Sequence, residues 1–219
     1  MADVTTRIVI ADDQAAIRHG FRLVLDAQPD LCVVGEAADG AGALATARLL
    51  RPDILLVDVR MPGPDGLEVV RQLAGDGPGA VPETRVIVVT TFDLDEYVYP
   101  ALRDGAAGYL LKRSGPTLLV EAIRAAMSGE ALVSPSITVR LLRGLTASPA
   151  PATARAALTE REAEVAGLVA QGCTNAEIAA ELLISPGTVK THVASAQRKV
   201  GARNRVGVAA WAWRTGLAR

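Results

Sequence analysis

The stretch LLVDVRMPGPDG, residues 55–66, opens as an apolar strand and sets the carboxylate of Asp58 where that strand ends. Met61, Pro62 and Gly63 follow at once. Proline has no backbone donor and glycine favours turns, so the strand cannot simply run on. An ionisable group at the mouth of a segment that otherwise reads as fully buried needs a partner, and the rest of the chain supplies candidates.

Four further apolar runs resemble the one that ends at Asp58. They lie at residues 7–11, 31–35, 86–90 and 108–111, with residues 54–58 as the third of five. Longer segments of helical period separate them, such as residues 15–27 and 116–127. Five β/α units predict an α/β fold, a doubly wound five-stranded parallel sheet. Strands of such a sheet are covered on both faces, and ligands gather at their carboxyl edge.

Three other strand ends deliver polar groups to that edge: Asp12 and Asp13 after the first, Thr90 after the fourth and Lys112 after the fifth. Singly, each is an ordinary cap or solvated turn. Together they form a site. Crowded carboxylates raise one another's pKa unless a hard divalent cation sits among them, and Mg²⁺ suits oxygen ligands. Beside such a cation Asp58 stays ionised and can act as a nucleophile toward a phosphoryl group. Lys112 and the metal then neutralise the transferring oxygens, and Thr90 donates to one of them.

At 219 residues, half of them apolar, the chain is long enough for two globular domains. No apolar run approaches bilayer length, and MADVTTRIVIADD meets acids where a signal peptide stays apolar, so the expected location is the cytoplasm, without a membrane partner. Cys32 and Cys173 lie far apart, and the only histidines are His19 and His192. That leaves little for a disulfide framework or a zinc cluster, and each cysteine is expected to be a small buried apolar residue.

The net charge of −1 hides an asymmetry. Residues 1–154 hold 14 Lys and Arg against 19 Asp and Glu, whereas residues 155–219 hold 9 against 5. The ends are expected to face different partners. Between them TASPAPATARAA, residues 146–157, has no hydrophobic period. It reads as a connector. The expected division is a first domain over residues 1–129, a linker over 130–157 with a possible short helix, and a second domain over 158–219.

The second domain shows no strand pattern and reads as four short helices. Thr159 with Glu162 and Thr174 with Glu177 form T-x-x-E capping boxes, Gly172 and Gly201 are helix stops, and Ser185-Pro186 reads as an N-cap followed by proline at the first helical position. Two helices joined by a short turn, the second with a basic and hydroxyl-rich side, form a helix-turn-helix whose second helix can enter a major groove. The competing reading is a helical hairpin with merely solvated charges. The local positive charge and the hydroxyls near the helix start weigh against it.

The pattern ADD, LLVDVRMPGPDG, VVTTFD and GYLLK resembles the receiver domain of two-component response regulators. The segment from LTEREAEVAGL to VGARNR resembles the LuxR-type DNA-binding domain, and the order of the two is similar to the NarL/FixJ class. The resemblance implies a flavodoxin-like fold for the first domain, phosphorylation of Asp58 by a sensor histidine kinase, and a switch of dimerisation and promoter binding by that modification. It implies Mg²⁺ bound by Asp13, Asp58 and the main-chain carbonyl of Arg60, with Asp12 acting through water. Thr90 and Tyr109 are then a switch pair, the ring turning inward behind the hydroxyl.

For the second domain the resemblance implies contacts to double-stranded promoter DNA from Thr188, Lys190, Thr191 and His192, and to phosphates from Arg198 and Lys199. His192 is equally readable as a structural histidine. The last helix, RVGVAAWAWRTG, is apolar nearly all round. It therefore offers either a homodimer surface, as the family implies, or two tryptophans for its own core. The chain reads as a transcription factor and not an enzyme, its receiver only assisting its own phosphoryl transfer and dephosphorylation. A phosphatase of the haloacid dehalogenase type wants a second Asp two residues after the first, and here that place is Arg60. Control of DNA binding by a ligand is a further alternative, as is a protein-binding module that meets no DNA.

Overall fold

Short Val- and Ile-rich runs form strands because branched side chains pack well on a pleated surface that is covered on both faces. The computed structural model describes residues 5–75, 77–91, 95–134 and 158–217. They divide into two compact units, one reaching to Met127 and including Leu132–Ser134, the other comprising Ser128–Ala131 and the carboxyl-terminal helices.

The first unit alternates β1 (Thr6–Ala11), α1 (Ala15–Asp26), β2 (Leu31–Ala37), α2 (Gly40–Leu50), β3 (Ile54–Val57), α3 (Gly66–Ala74), β4 (Arg85–Thr90), α4 (Asp95–Arg103), β5 (Gly108–Leu111) and α5 (Pro116–Met127). A single 3₁₀ turn, Lys112–Ser114, leads from β5 toward α5. All pairings are parallel, in the order β2-β1-β3-β4-β5, with β6 (Leu132–Val133) added outside β5. The expected five strands are therefore six. The sixth is two residues long, too short to show a period, and it lies in the stretch read as linker.

Every residue of β3 is buried, and Ile8, Ile54, Leu56, Ile87 and Leu110 belong to one core cluster with Leu119 and Ile123 of α5. Strand order reverses between β1 and β3, which opens a crevice at their carboxyl ends. The turn after β3 is held in place by α3. A Cβ on Gly66 would lie 2.1 Å from the carbonyl oxygen of Asp58, and the Gly66 amide donates to the carbonyl of Val59. Only glycine allows that approach.

The expectation for Cys32 is corrected: it is exposed, and Cys173 is only half-buried. Cys32 occupies an outward position of β2, the edge strand, and edge strands leave alternate side chains in solvent.

The second unit has four described helices: α6 (Glu160–Ala170), α7 (Asn175–Leu182), α8 (Pro186–Val200) and α9 (Arg205–Arg214). Both expected capping boxes form, and the Ser185 hydroxyl accepts from the Thr188 amide at 3.0 Å with Pro186 in the first turn. Gly172 and Gly201 take the left-handed conformation at φ 89° and 69°. Val165, Val169, Ile178, Val189, Val193, Ala196, Val208 and Trp211 share the core. Of the two tryptophans read as filling the core, only the first does so. Trp211 is buried, whereas Trp213 is 40% exposed with its indole N–H donating to the carbonyl of Ala170 at 2.9 Å. The possible short helix read within the linker, residues 130–157, is not found in residues 130–134, and residues 135–157 lie outside the described residues.

Candidate functional site

The crevice between β1 and β3 gathers the residues picked out at the strand ends. Asp12 and Asp58 are buried and Asp13 is exposed, and a carboxylate oxygen from each lies within 4.8 Å of the others. Lys112, carried at the end of β5, donates to Asp12 Oδ2 at 2.6 Å and to Asp58 Oδ2 at 2.8 Å. The Asp12 Oδ1 accepts from the amide of Gln14 at 3.0 Å. Burial pushes the Asp12 carboxyl above its ordinary value, and the Lys112 hydrogen bond only partly opposes that. Burial alone would lower Lys112, but hydrogen bonds to Asp12 and Asp58 outweigh it and hold the ammonium above its ordinary value.

One atom in this network is left over. Asp58 Oδ1 is buried and has no hydrogen-bond partner among the described residues. A buried carboxylate oxygen without a donor costs free energy, so a cation or an incoming donor is its natural complement. Three carboxylates against one ammonium also leave the crevice net negative by about two charges, which a divalent cation would offset. Donor chemistry and charge both fit Mg²⁺.

Thr90 and Tyr109 are fully buried on neighbouring strands, with Thr90 registered opposite Leu111 and Tyr109 opposite Val88. The Tyr109 ring is thus already inside. Arg60 sits in the bend after β3, and its exposed guanidinium donates to the Tyr97 hydroxyl on α4 at 2.9 Å. Nothing in the local sequence signals that pairing, because the two residues are 37 apart.

On α8, Thr188, Lys190, Thr191, Arg198 and Lys199 are exposed and His192 is half-buried. Lys190, Ala194 and Arg198 follow one another at steps of four, along one side of the helix. The hydroxyls are partly engaged within the unit: Thr188 Oγ1 lies 2.9 Å from Ser185 Oγ, and Thr191 Oγ1 donates to the carbonyl of Gly187. Lys199, expected to meet phosphates, donates to Glu162 Oε2 at 2.7 Å.

Glu162 is the residue that sequence reasoning undervalued. Beyond closing its capping box it accepts from Ser195 and Lys199, residues 33 and 37 positions away. The Lys199 hydrogen bond, with help from the Thr159 amide, moves its pKa from the ordinary 4.5 to about 2. A depressed folded-state pKa contributes stability above the unfolded value and loses it as pH falls through the folded value. Glu162→Ala is therefore expected to cost about 2 kcal/mol near neutral pH. In denaturant unfolding of the full chain, the gap between wild type and variant should close as pH falls from 4.5 toward 2.

Two family models match, one described as the response regulator receiver domain over residues 8–124 and one as bacterial regulatory proteins of the luxR family over residues 156–212. The chain is a LuxR-type response regulator. Among its relatives, the transcriptional regulatory protein YxjL of Bacillus subtilis is 40% identical over 215 residues, covering 96% of each chain. The crystal structure of ChrA, a response regulator of a heme-sensing two-component system, aligns over 98% of this chain and 99% of that one, with 33% identity and a TM-score of 0.53. A structure of two RcsB dimers bound to two parallel DNAs covers 96% of this chain and 98% of its own, with 26% identity and a TM-score of 0.57.

Membership gives the function: this response regulator is a DNA-binding transcriptional regulator controlled by phosphorylation. Receiver domains take Mg²⁺ in an acidic pocket of the kind formed by Asp12, Asp13 and Asp58. No helix among the described residues is long and apolar enough to cross a membrane.

Proposed function

We propose that Asp58 is the phosphoacceptor, and the observation that carries this is the partnerless buried oxygen Oδ1 at the strand-order switch point. A carboxylate oxygen of Asp58 attacks the phosphorus of a phosphohistidine on a sensor kinase. A new O–P bond forms, the N–P bond breaks, and the imidazole leaves to take up a proton. Asp13, Asp58 and the main-chain carbonyl of Arg60 would hold Mg²⁺ directly, with Asp12 reached through water. The ion supplies charge neutralisation for the phosphoryl oxygens when it is bound. Lys112 is already poised on Asp58 Oδ2 and can turn its ammonium to a phosphoryl oxygen, while the Thr90 hydroxyl donates to another. Tyr109, buried on the strand next to that of Thr90, is the second member of the switch. The same residues assist later loss of the phosphoryl group to water.

In this reading the receiver spans residues 1–129, the linker 130–157 and the DNA-binding domain 158–219. Thr188, Lys190, Thr191 and His192 reach bases or backbone of duplex promoter DNA, and Arg198 and Lys199 reach phosphates. Two copies pair on phosphorylation or on DNA, a reading supported by the structure of RcsB dimers bound to DNA, and act in the cytoplasm beside the chromosome.

Asp13 is the exposed member of the acidic set and has no place in the buried Lys112 network. Asp13→Asn is therefore expected to fold normally and to weaken Mg²⁺ binding at least about tenfold, measured by titration calorimetry. Unchanged Mg²⁺ affinity would remove Asp13 from the metal site.

A further inference from the structure

The chain beyond α5 returns to the sheet and grips β5. Leu132 and Val133 pair with Gly108 and Tyr109, and the amide of Ser134 donates to the carbonyl of Tyr109 at 3.0 Å. Ser134 is 1% exposed. Its hydroxyl accepts from the amide of Leu111 at 3.1 Å and lies 3.0 Å from Ser114 Oγ. These contacts flank Lys112: Leu111 precedes it, and Ser114 closes the 3₁₀ turn that Lys112 begins. Lys112 in turn holds Asp12 and Asp58.

We propose that Ser134 links the 3₁₀ turn that carries Lys112 to the connector toward the DNA-binding domain, relaying the state of the acceptor site without taking part in phosphoryl transfer; this rests on the reading of Asp58 as phosphoacceptor. In this proposal the 3₁₀ turn adjusts as the Lys112 ammonium turns from the carboxylates to a phosphoryl oxygen. Ser134 is hydrogen-bonded at both ends of that turn, and it directly follows β6 on the chain that leads to α6. A serine hydroxyl suits the task because it offers one donor and two acceptor positions on a rotor. Its bond to Ser114 can therefore be remade while the bond from Leu111 is kept. A bistable element biased by the site is what a coupling claim requires.

The test uses the full chain and a DNA duplex selected from a random pool by the phosphorylated wild type. Ser134→Ala is compared with Thr84→Val, which removes a buried hydroxyl bond to the carbonyl of Pro52 at the amino end of β4. All chains are treated with acetyl phosphate and Mg²⁺, and adduct mass and duplex affinity are both read. The expected result is equal adduct formation in all three, with the phosphorylation-dependent gain in affinity reduced about fivefold in Ser134→Ala and retained in Thr84→Val. Should Ser134→Ala fail to fold, Ser114→Ala is read in the same way, since it removes the Ser114 bond to the Ser134 hydroxyl and leaves Ser134 and its bond from Leu111 in place. A full gain in the serine variant, an equal loss in Thr84→Val, or failure of the serine variant to take the adduct overturns the inference. A wild type that takes no phosphoryl group overturns the Asp58 reading itself, and this inference with it.

Discussion

Asp58→Asn is expected to bind promoter DNA with one affinity whether or not a phosphodonor and Mg²⁺ are present, while the wild type tightens at least about tenfold, or about 1.4 kcal/mol. The amide matches the carboxylate in size, so the β3 end and the close approach of Gly66 are undisturbed. It lacks the anionic oxygen that attacks phosphorus, and it still offers Lys112 an acceptor in place of Asp58 Oδ2. The lost response therefore reports chemistry and not misfolding. Equal melting temperatures for the two chains would secure that point. Full inversion of a two-state switch needs roughly 5.5 kcal/mol of differential interaction, and a few charge-assisted hydrogen bonds from Lys112 and Thr90 supply a large share of it. An Asn variant that still responds to phosphodonor would favour control by another ligand or another acceptor.

The second large effect lies on α8. Lys190→Ala with Arg198→Ala removes two exposed cations from one side of the helix without touching its buried side, Val189, Val193 and Ala196. Each phosphate contact releases about one counterion, so the slope of log affinity against log salt should fall by about two. Affinity should drop by about one to two orders of magnitude at physiological salt. Filter-binding or fluorescence titrations over a range of salt check both. Unchanged affinity and slope would mean that the helical unit meets its partner by some other surface.

What could be read in the sequence was local. Capping boxes at Thr159 and Thr174, the Ser185-Pro186 start and the glycine stops are settled by residues three or four apart, and each formed as expected. The strands were legible because parallel sheets demand continuous apolar runs. The acidic crevice followed from the rule that such strands present their carboxyl ends to ligands.

What escaped was non-local or too short. The β6 strand has two residues and no period, and it pairs across 24 positions. Glu162 was visible as a cap, but its ion pair with Lys199 spans 37 positions and draws that lysine into the packing of the helical unit. The exposure of Cys32 depends on β2 standing at the sheet edge, which is a property of strand order and not of composition.

The most direct measurement is the intact mass of purified wild-type chain after incubation with acetyl phosphate and Mg²⁺. One labile phosphoryl group, mapped by fragmentation to Asp58 and absent from Asp58→Asn, is the expected result. No adduct, or an adduct on any other residue, contradicts Asp58 as the acceptor.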